Sequence, residues 1–163
     1  LSVEHFPHLP IVSRVLLPYS SLPSPAAQSV NILFYGPPGS GKTELTRVIA
    51  KELGSPVTKC SSPKGNAKER GAYLATEVLE GCGQRPFANQ YQYLVIDEAE
   101  DVFNDRIVLF SGRTNKVKST AFWKNPVVTL WTANSIRNID PAMLRRFNLV
   151  VEVKSPGLAY RRE

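Results

Sequence analysis

Apolar and polar residues change their order sharply at Val30. Upstream, Pro7, Pro10, Pro18, Pro23 and Pro25 interrupt the first thirty residues. Residues 11–17, between Pro10 and Pro18, have room for about two helical turns before the proline ring interferes. Residues 1–29 therefore read as a short helix and linker packed on the front of a domain. Downstream, Val30-Asn31-Ile32-Leu33-Phe34-Tyr35 is a short apolar run that ends at glycine, the pattern of a strand buried on both faces. Over residues 42–53, Leu45, Val48, Ile49 and Leu53 recur at helical spacing, and Gly54 supplies a C-terminal stop. A second strand is expected over 56–60. A helix is expected over 67–79, with Ala72, Ala75, Val78 and Leu79 inward and Gly81 ending it. A third strand over 90–96 leads into a short helix within 99–110, and a fourth strand covers 127–132. Asp140-Pro141 opens another helix, with Asp as N-cap and Pro at the first helical position. Residues 149–153 close the series as a fifth strand. Residues 111–124 are polar and basic and follow neither period.

Strands that alternate with helices imply right-handed crossovers and a parallel sheet covered on both faces, an α/β fold. At 163 residues the chain fits one domain with its own core. Hydrophobic residues make up 42% and charged residues 21%, which excludes wholesale disorder. The apolar runs fall far short of the ~20 residues a membrane-spanning helix needs. No charged segment followed by an apolar one opens the chain, so nothing reads as a secretory signal and a cytoplasmic location is expected. The chain starts at Leu1 rather than Met and stops at Glu163, soon after the last strand, as a fragment would.

Twenty Lys and Arg against fourteen Asp and Glu leave a net charge of +6. Such a surplus favours a polyanionic partner, either nucleic acid or a nucleotide phosphate, although the basic residues are scattered as on an ordinary surface. Cys60 and Cys82 lack metal-ligand spacing and read as reduced thiols. His5 and His8 flank Pro7 without further ligands, which is too little for a metal site.

The strongest chemical signal is Gly36-Pro37-Pro38-Gly39-Ser40-Gly41-Lys42-Thr43. It fits G-x-x-x-x-G-K-[ST] and lies between a predicted strand and a predicted helix, as a P-loop must. Gly36, Gly39 and Gly41 let the backbone turn tightly and aim N–H groups at phosphate oxygens, and the helix dipole adds positive potential there. Lys42 is expected to reach the β- and γ-phosphates and the Thr43 hydroxyl to ligate Mg²⁺, with Glu44 completing the nucleotide-contacting stretch. The second signal is Tyr93-Leu94-Val95-Ile96-Asp97-Glu98, a hydrophobic strand delivering two carboxylates at its C-terminal end. Asp97 would act on the magnesium and Glu98 on an attacking water. Glu100, Asp101 and Asp105 read as a solvated helical face. Third, Thr129-Leu130-Trp131-Thr132-Ala133-Asn134 ends a buried strand with an amide. Were that strand between the other two, Asn134 would point at the γ-phosphate and the attacking water. Fourth, Asp140-Pro141-Ala142-Met143-Leu144-Arg145-Arg146-Phe147 is a short capped helix ending in two arginines, suited either to a phosphoryl group or to the helix dipole.

These four segments, in this order, resemble the AAA+ ATPases and more closely their AAA-type branch, over residues 30–153. Residues 36–43 resemble that branch's Walker A, 94–98 its Walker B, 132–134 its sensor 1 strand, and 139–147 the segment carrying its arginine finger. The resemblance implies a P-loop three-layer αβα sandwich with a parallel five-stranded sheet of order 5-1-4-3-2. It also implies ATP and Mg²⁺ as ligands and Arg146 as a finger entering a neighbouring subunit, hence a ring, often a hexamer. The family's helical lid would follow the last strand, where this chain stops. Residues 61–66 hold no aromatic where threading members carry a pore loop, so protein threading is not implied. The arginines are contiguous, without the Pro-Gly spacer common among close relatives.

The reading that follows is an ATP-hydrolysing module that repositions a macromolecular partner. A nucleotide-gated binding module with little turnover is the alternative from another class, against which stands Glu98, since a pure binder needs no base. The basic segment 113–124 and the net charge keep a DNA-acting clamp-loader or helicase relative open. A small-molecule kinase is disfavoured for lack of an acceptor site.

Overall fold

The computed structural model describes residues 30–52, 57–60, 93–104 and 128–155. Within them lie five strands: β1 (Asn31–Tyr35), β2 (Val57–Cys60), β3 (Tyr93–Ile96), β4 (Val128–Ala133) and β5 (Leu149–Glu152). Three helices accompany them: α1 (Lys42–Glu52), α2 (Ala99–Asn104) and α3 (Pro141–Leu144). Every strand pair is parallel and the order across the sheet is β2-β3-β4-β1-β5. Read from the other edge this is 5-1-4-3-2, the expected order.

Alternation along the strands explains the layers. On β1, Ile32 and Phe34 face one side and Leu33 the other, because successive side chains of a strand point to opposite faces. The first side packs Ile32, Phe34, Val95, Leu130 and Val151 against Leu45, Val48, Ile49 and Ala50 of α1. The second packs Leu33, Leu94, Ile96, Trp131 and Ala133 against Phe103 of α2 and against Ile139 and Phe147 around α3. A sheet buried on both faces is why its central strands read as apolar runs rather than as alternating ones.

Among the described residues Trp131 is the largest fully buried side chain. Its ring centroid lies 5.4 Å from Phe103 and 5.8 Å from Phe147, and the two phenylalanines are 5.7 Å apart. Tilted and edge-on contacts of this kind contribute about 0.5–1.5 kcal/mol each beyond area burial. The indole Nε1 donates to Asn31 Oδ1 at 3.1 Å, which satisfies a buried amide oxygen. Asn31 N in turn donates to Asn148 Oδ1 at 2.7 Å, and Asn148 N to Asn31 O at 2.9 Å. These bonds tie β1, β4 and the entry to β5 at the end of the sheet opposite the glycine-rich loop.

Boundaries shift by a residue or so from the expected ones. Strand β4 runs on to Ala133, and β5 ends at Glu152. Asp140 caps α3 as predicted, its carboxylate accepting from Ala142 N at 2.8 Å, with Pro141 opening the helix. The segment 1–29, the helix over 67–79, residues 61–66 and the basic stretch 111–124 lie outside the described residues. Among the described residues no helix is long and apolar enough to cross a membrane.

Candidate functional site

Because β1, β3 and β4 are adjacent and parallel, their C-terminal ends open on one side of the sheet. Gly36 follows β1, Asp97 follows β3 and Asn134 follows β4, so three of the four sequence signals converge there. The loop is pinned at its base by Gly36 N donating to Ala133 O at 3.2 Å and closed by Ser40 N donating to Pro37 O at 3.2 Å. Leu45 N donates to Gly41 O at 2.8 Å as the helix takes over. Gly39 and Gly41 have φ of 75° and 87°, conformations that cost other residues about 1–2 kcal/mol.

Lys42 lies across this loop. Its Nζ donates to Gly36 O at 2.8 Å and to Pro37 O at 2.9 Å, and the residue is only 7% exposed. Burial lowers its pKa from the usual 10.5, with the charges of Glu100 and Asp97 pulling the other way. The unfolded chain thus holds this proton over an alkaline interval in which the fold has already released it. Stability carried by Lys42 rises as pH climbs through that interval toward 10.5. Urea melts at stepped alkaline pH check this. The stability of Lys42→Met relative to the parent chain should fall as pH rises toward 10.5. A constant difference would contradict the assignment.

A pocket of about 490 Å³ opens beside the loop. Pro38, Gly39, Gly41, Lys42, Thr43 and Glu44 line one wall, and Asp97, Glu98, Thr132, Ala133 and Asn134 the other. Gly36, Pro37 and Ser40 shape the loop without facing this space, and Ser40 Oγ is buried without a hydrogen-bond partner. Two hydroxyls bracket Asp97. Thr43 Oγ1 donates to its Oδ1 at 3.2 Å and its Oδ2 at 3.3 Å, and Thr132 Oγ1 donates to Oδ1. Thr132 had no role in the sequence reading, because a threonine inside a strand looks like an ordinary β-former.

Glu98 has φ of 58°, the left-handed region, at the corner between β3 and α2. A non-glycine residue there costs about 1–3 kcal/mol and is held by its surroundings. The corner turns Glu98 outward to the pocket while Ala99 is fully buried below it.

One expectation is corrected. Glu100 is engaged by Asn134 rather than facing solvent alone. It is half-buried, and its carboxylate accepts from Asn134 N at 3.1 and 3.2 Å and from Asn134 Nδ2 at 2.9 Å. Adjacency of β3 and β4 makes the contact, since it places the first turn of α2 beside the end of β4.

The fourth signal stays apart. Arg145 and Arg146 are exposed in the turn after α3 and neither lines the pocket. Arg146 N donates to Met143 O at 3.0 Å and Phe147 is buried, so the turn is anchored on both sides of Arg146. Among the described residues no group of three or more His, Cys, Asp or Glu gathers to hold a metal. Any cation here would share its shell between Thr43, Asp97 and ligand oxygens.

The chain is similar to known proteins. Residues 32–155 match the model of the ATPase family associated with various cellular activities (AAA). The Cell division control protein 48 homolog B of Arabidopsis thaliana is 29% identical over 148 residues, covering 77% of this chain and 23% of that protein. The ATP-dependent zinc metalloprotease FtsH of Mycobacterium bovis is 29% identical over 143 residues, covering 80% and 19%. The crystal structure of the FIGL-1 AAA domain in complex with ADP superposes with a TM-score of 0.53 at 19% identity, covering 80% of this chain and 45% of that one. The chain spans less than half the length of each of these relatives.

Proposed function

The chain belongs to the AAA family of ATPases, and from that premise we propose that it binds ATP with Mg²⁺ at the loop of residues 36–43 and hydrolyses it to ADP and phosphate. The observation that carries the reading is the convergence of Lys42, Thr43, Asp97, Glu98 and Asn134 on one pocket at the C-terminal end of the sheet. Thr43 and Asp97 suit magnesium, being hard oxygen donors that leave most of the shell to phosphate and water. When bound, the ion neutralises charge on the phosphates. Lys42 exchanges the carbonyls of Gly36 and Pro37 for β- and γ-phosphate oxygens, whose negative charge favours its protonated form. Glu98 takes the proton of a water whose oxygen bonds to the γ-phosphorus as the bond to the β–γ bridging oxygen breaks. Asn134 steadies that water.

Arg146 is outside the pocket of its own chain, which supports a role in the site of a neighbouring copy. A ring, hexameric in the family pattern, would supply that neighbour. Residues 30–163 would form the ATPase core and 1–29 the linker on its front. The module works in the cytoplasm and couples turnover to remodelling of a macromolecular partner.

The test is the Mg-ATP hydrolysis rate per protomer over a wide range of protein concentration. A specific rate that climbs with concentration supports a shared site with Arg146 acting in trans, and Arg146→Ala should abolish the climb. ATP binding without hydrolysis at any concentration would overturn the ATPase reading in favour of a nucleotide-gated module.

A further inference from the structure

An asparagine amide has two poles, and which of them meets a ligand decides whether it donates or accepts. At Asn134 the neighbours settle that choice. Glu100 offers only acceptor oxygens when ionised, so the pole turned to it at 2.9 Å must be Nδ2. The same carboxylate takes the backbone N–H of Asn134, at 3.1 Å to Oε1 and 3.2 Å to Oε2, which fixes the main chain as well as the side chain. Charge-assisted bonds of this kind are roughly twice as strong as neutral ones. Oδ1 is the pole left over, on a residue that lines the same pocket as Glu98.

From this clamp we infer that Glu100 is a positioning residue. It holds the Asn134 amide with Nδ2 toward α2 and Oδ1 toward the pocket, so that Asn134 meets the attacking water as a hydrogen-bond acceptor. The inference rests on the ATPase reading for its chemistry, though not for its geometry. A water between Oδ1 of Asn134 and the carboxylate of Glu98 donates both its protons to protein. Its lone pair then faces the γ-phosphorus. With the amide turned over, Nδ2 would compete for that lone pair and blunt the attack. Glu100 thus sets the direction of a group it does not share with substrate. A position three residues after Asp97 on a short helix is well placed for this, because the first turn of α2 lies against the end of β4.

The experiment compares the parent chain with Glu100→Ala, Glu100→Gln, Asn134→Ala and the Glu100→Ala/Asn134→Ala double variant, reading kcat and Mg-ADP affinity. Loss of the outer-shell partner of a metal ligand typically costs about 10–100-fold in activity, and a comparable loss is expected for a partner that orients Asn134. Glu100→Ala should lower kcat by about tenfold or more while ADP affinity stays within about twofold. Glu100→Gln, whose Oε1 still accepts from Nδ2, should regain most of that loss. In the Asn134→Ala background, removing Glu100 should make no further difference. Glu100→Gln as slow as Glu100→Ala would overturn the inference and assign Glu100 to the charge balance of Lys42. Losses that multiply in the double variant would overturn it too. A second readout needs no turnover. The side-chain amide resonance of Asn134 in the nucleotide-free protein should move, and exchange faster with solvent, in Glu100→Ala but much less in Glu100→Gln. An unmoved resonance overturns the clamp. If the parent chain hydrolyses no ATP, the ATPase reading falls and this resonance alone decides the role of Glu100. Should Glu100→Ala not fold, Glu100→Asp, which withdraws the carboxylate by one methylene, takes its place in both readouts.

Discussion

Glu98→Gln is expected to lower ATP turnover by about 10²–10⁴-fold, the range a positioned general base contributes, while Mg-ADP affinity stays within about twofold. The substitution keeps the volume of the side chain and its amide keeps one acceptor oxygen. What disappears is the capacity to take a proton from water. Because Gln has the same backbone demands as Glu, the strain of the 58° φ at this corner is unchanged. Rapid-quench measurement of bound ATP, alongside steady-state phosphate release, separates the outcomes. A true hydrolase should retain intact ATP in its pocket after the change. A nucleotide-gated module, which never depended on Glu98, should hardly respond. Turnover that survives within about tenfold would remove Glu98 from the reaction and leave Asp97 to organise the site without a base.

How much of this site could be read from the chain depends on how local each piece is. The loop at residues 36–43 was legible because its geometry is made by consecutive residues: glycines where φ is positive and a lysine that folds back over the carbonyls of Gly36 and Pro37. Asp97 was legible because a buried strand must end before its first charge. The order of the strands was not carried by periodicity, which gives parallel strands but not their neighbours. It came with the family resemblance, and the register of β1 against both β4 and β5 bears it out. The missed residues are those whose partners are distant in sequence. Glu100 precedes Asp101 at the start of a short helix, a pattern that ordinary solvated faces share, and its partner lies 34 residues on. Thr132 looked like a strand filler until β3 and β4 were seen side by side and its hydroxyl met Asp97. No local pattern marks Glu100, because the adjacency of two strands supplies its partner.

Two glycines of the loop should fail in different ways when given a methyl group. At Gly36 an added Cβ would lie 2.1 Å from Val153 O and 3.0 Å from Val153 C. Those are backbone atoms, and they cannot swing aside as a flexible side chain would. Val153 N is held to Tyr35 O at 2.7 Å and the Val153 side chain is fully buried, so relief requires the end of β5 to leave the sheet. Gly36→Ala should therefore cost about 3 kcal/mol or more, the upper end of ordinary overpacking. Against a total stability of about 5–15 kcal/mol, that is a large share. At Gly39 nothing lies within 4 Å of the added Cβ, and only the φ of 75° resists it. The cost there is about 1–2 kcal/mol of backbone strain, which the exposed loop can shed by relaxing toward negative φ. Relaxation spoils the aim of the N–H groups toward phosphate. Gly39→Ala should thus keep most of its stability and lose about 5–30-fold in Mg-ADP affinity, the same strain now charged to binding. Urea midpoints at constant m, paired with ADP titrations of each variant, separate the two. Equal destabilisation at both positions would mean that Val153 yields to the methyl group. It would leave Gly36 required only for its conformation.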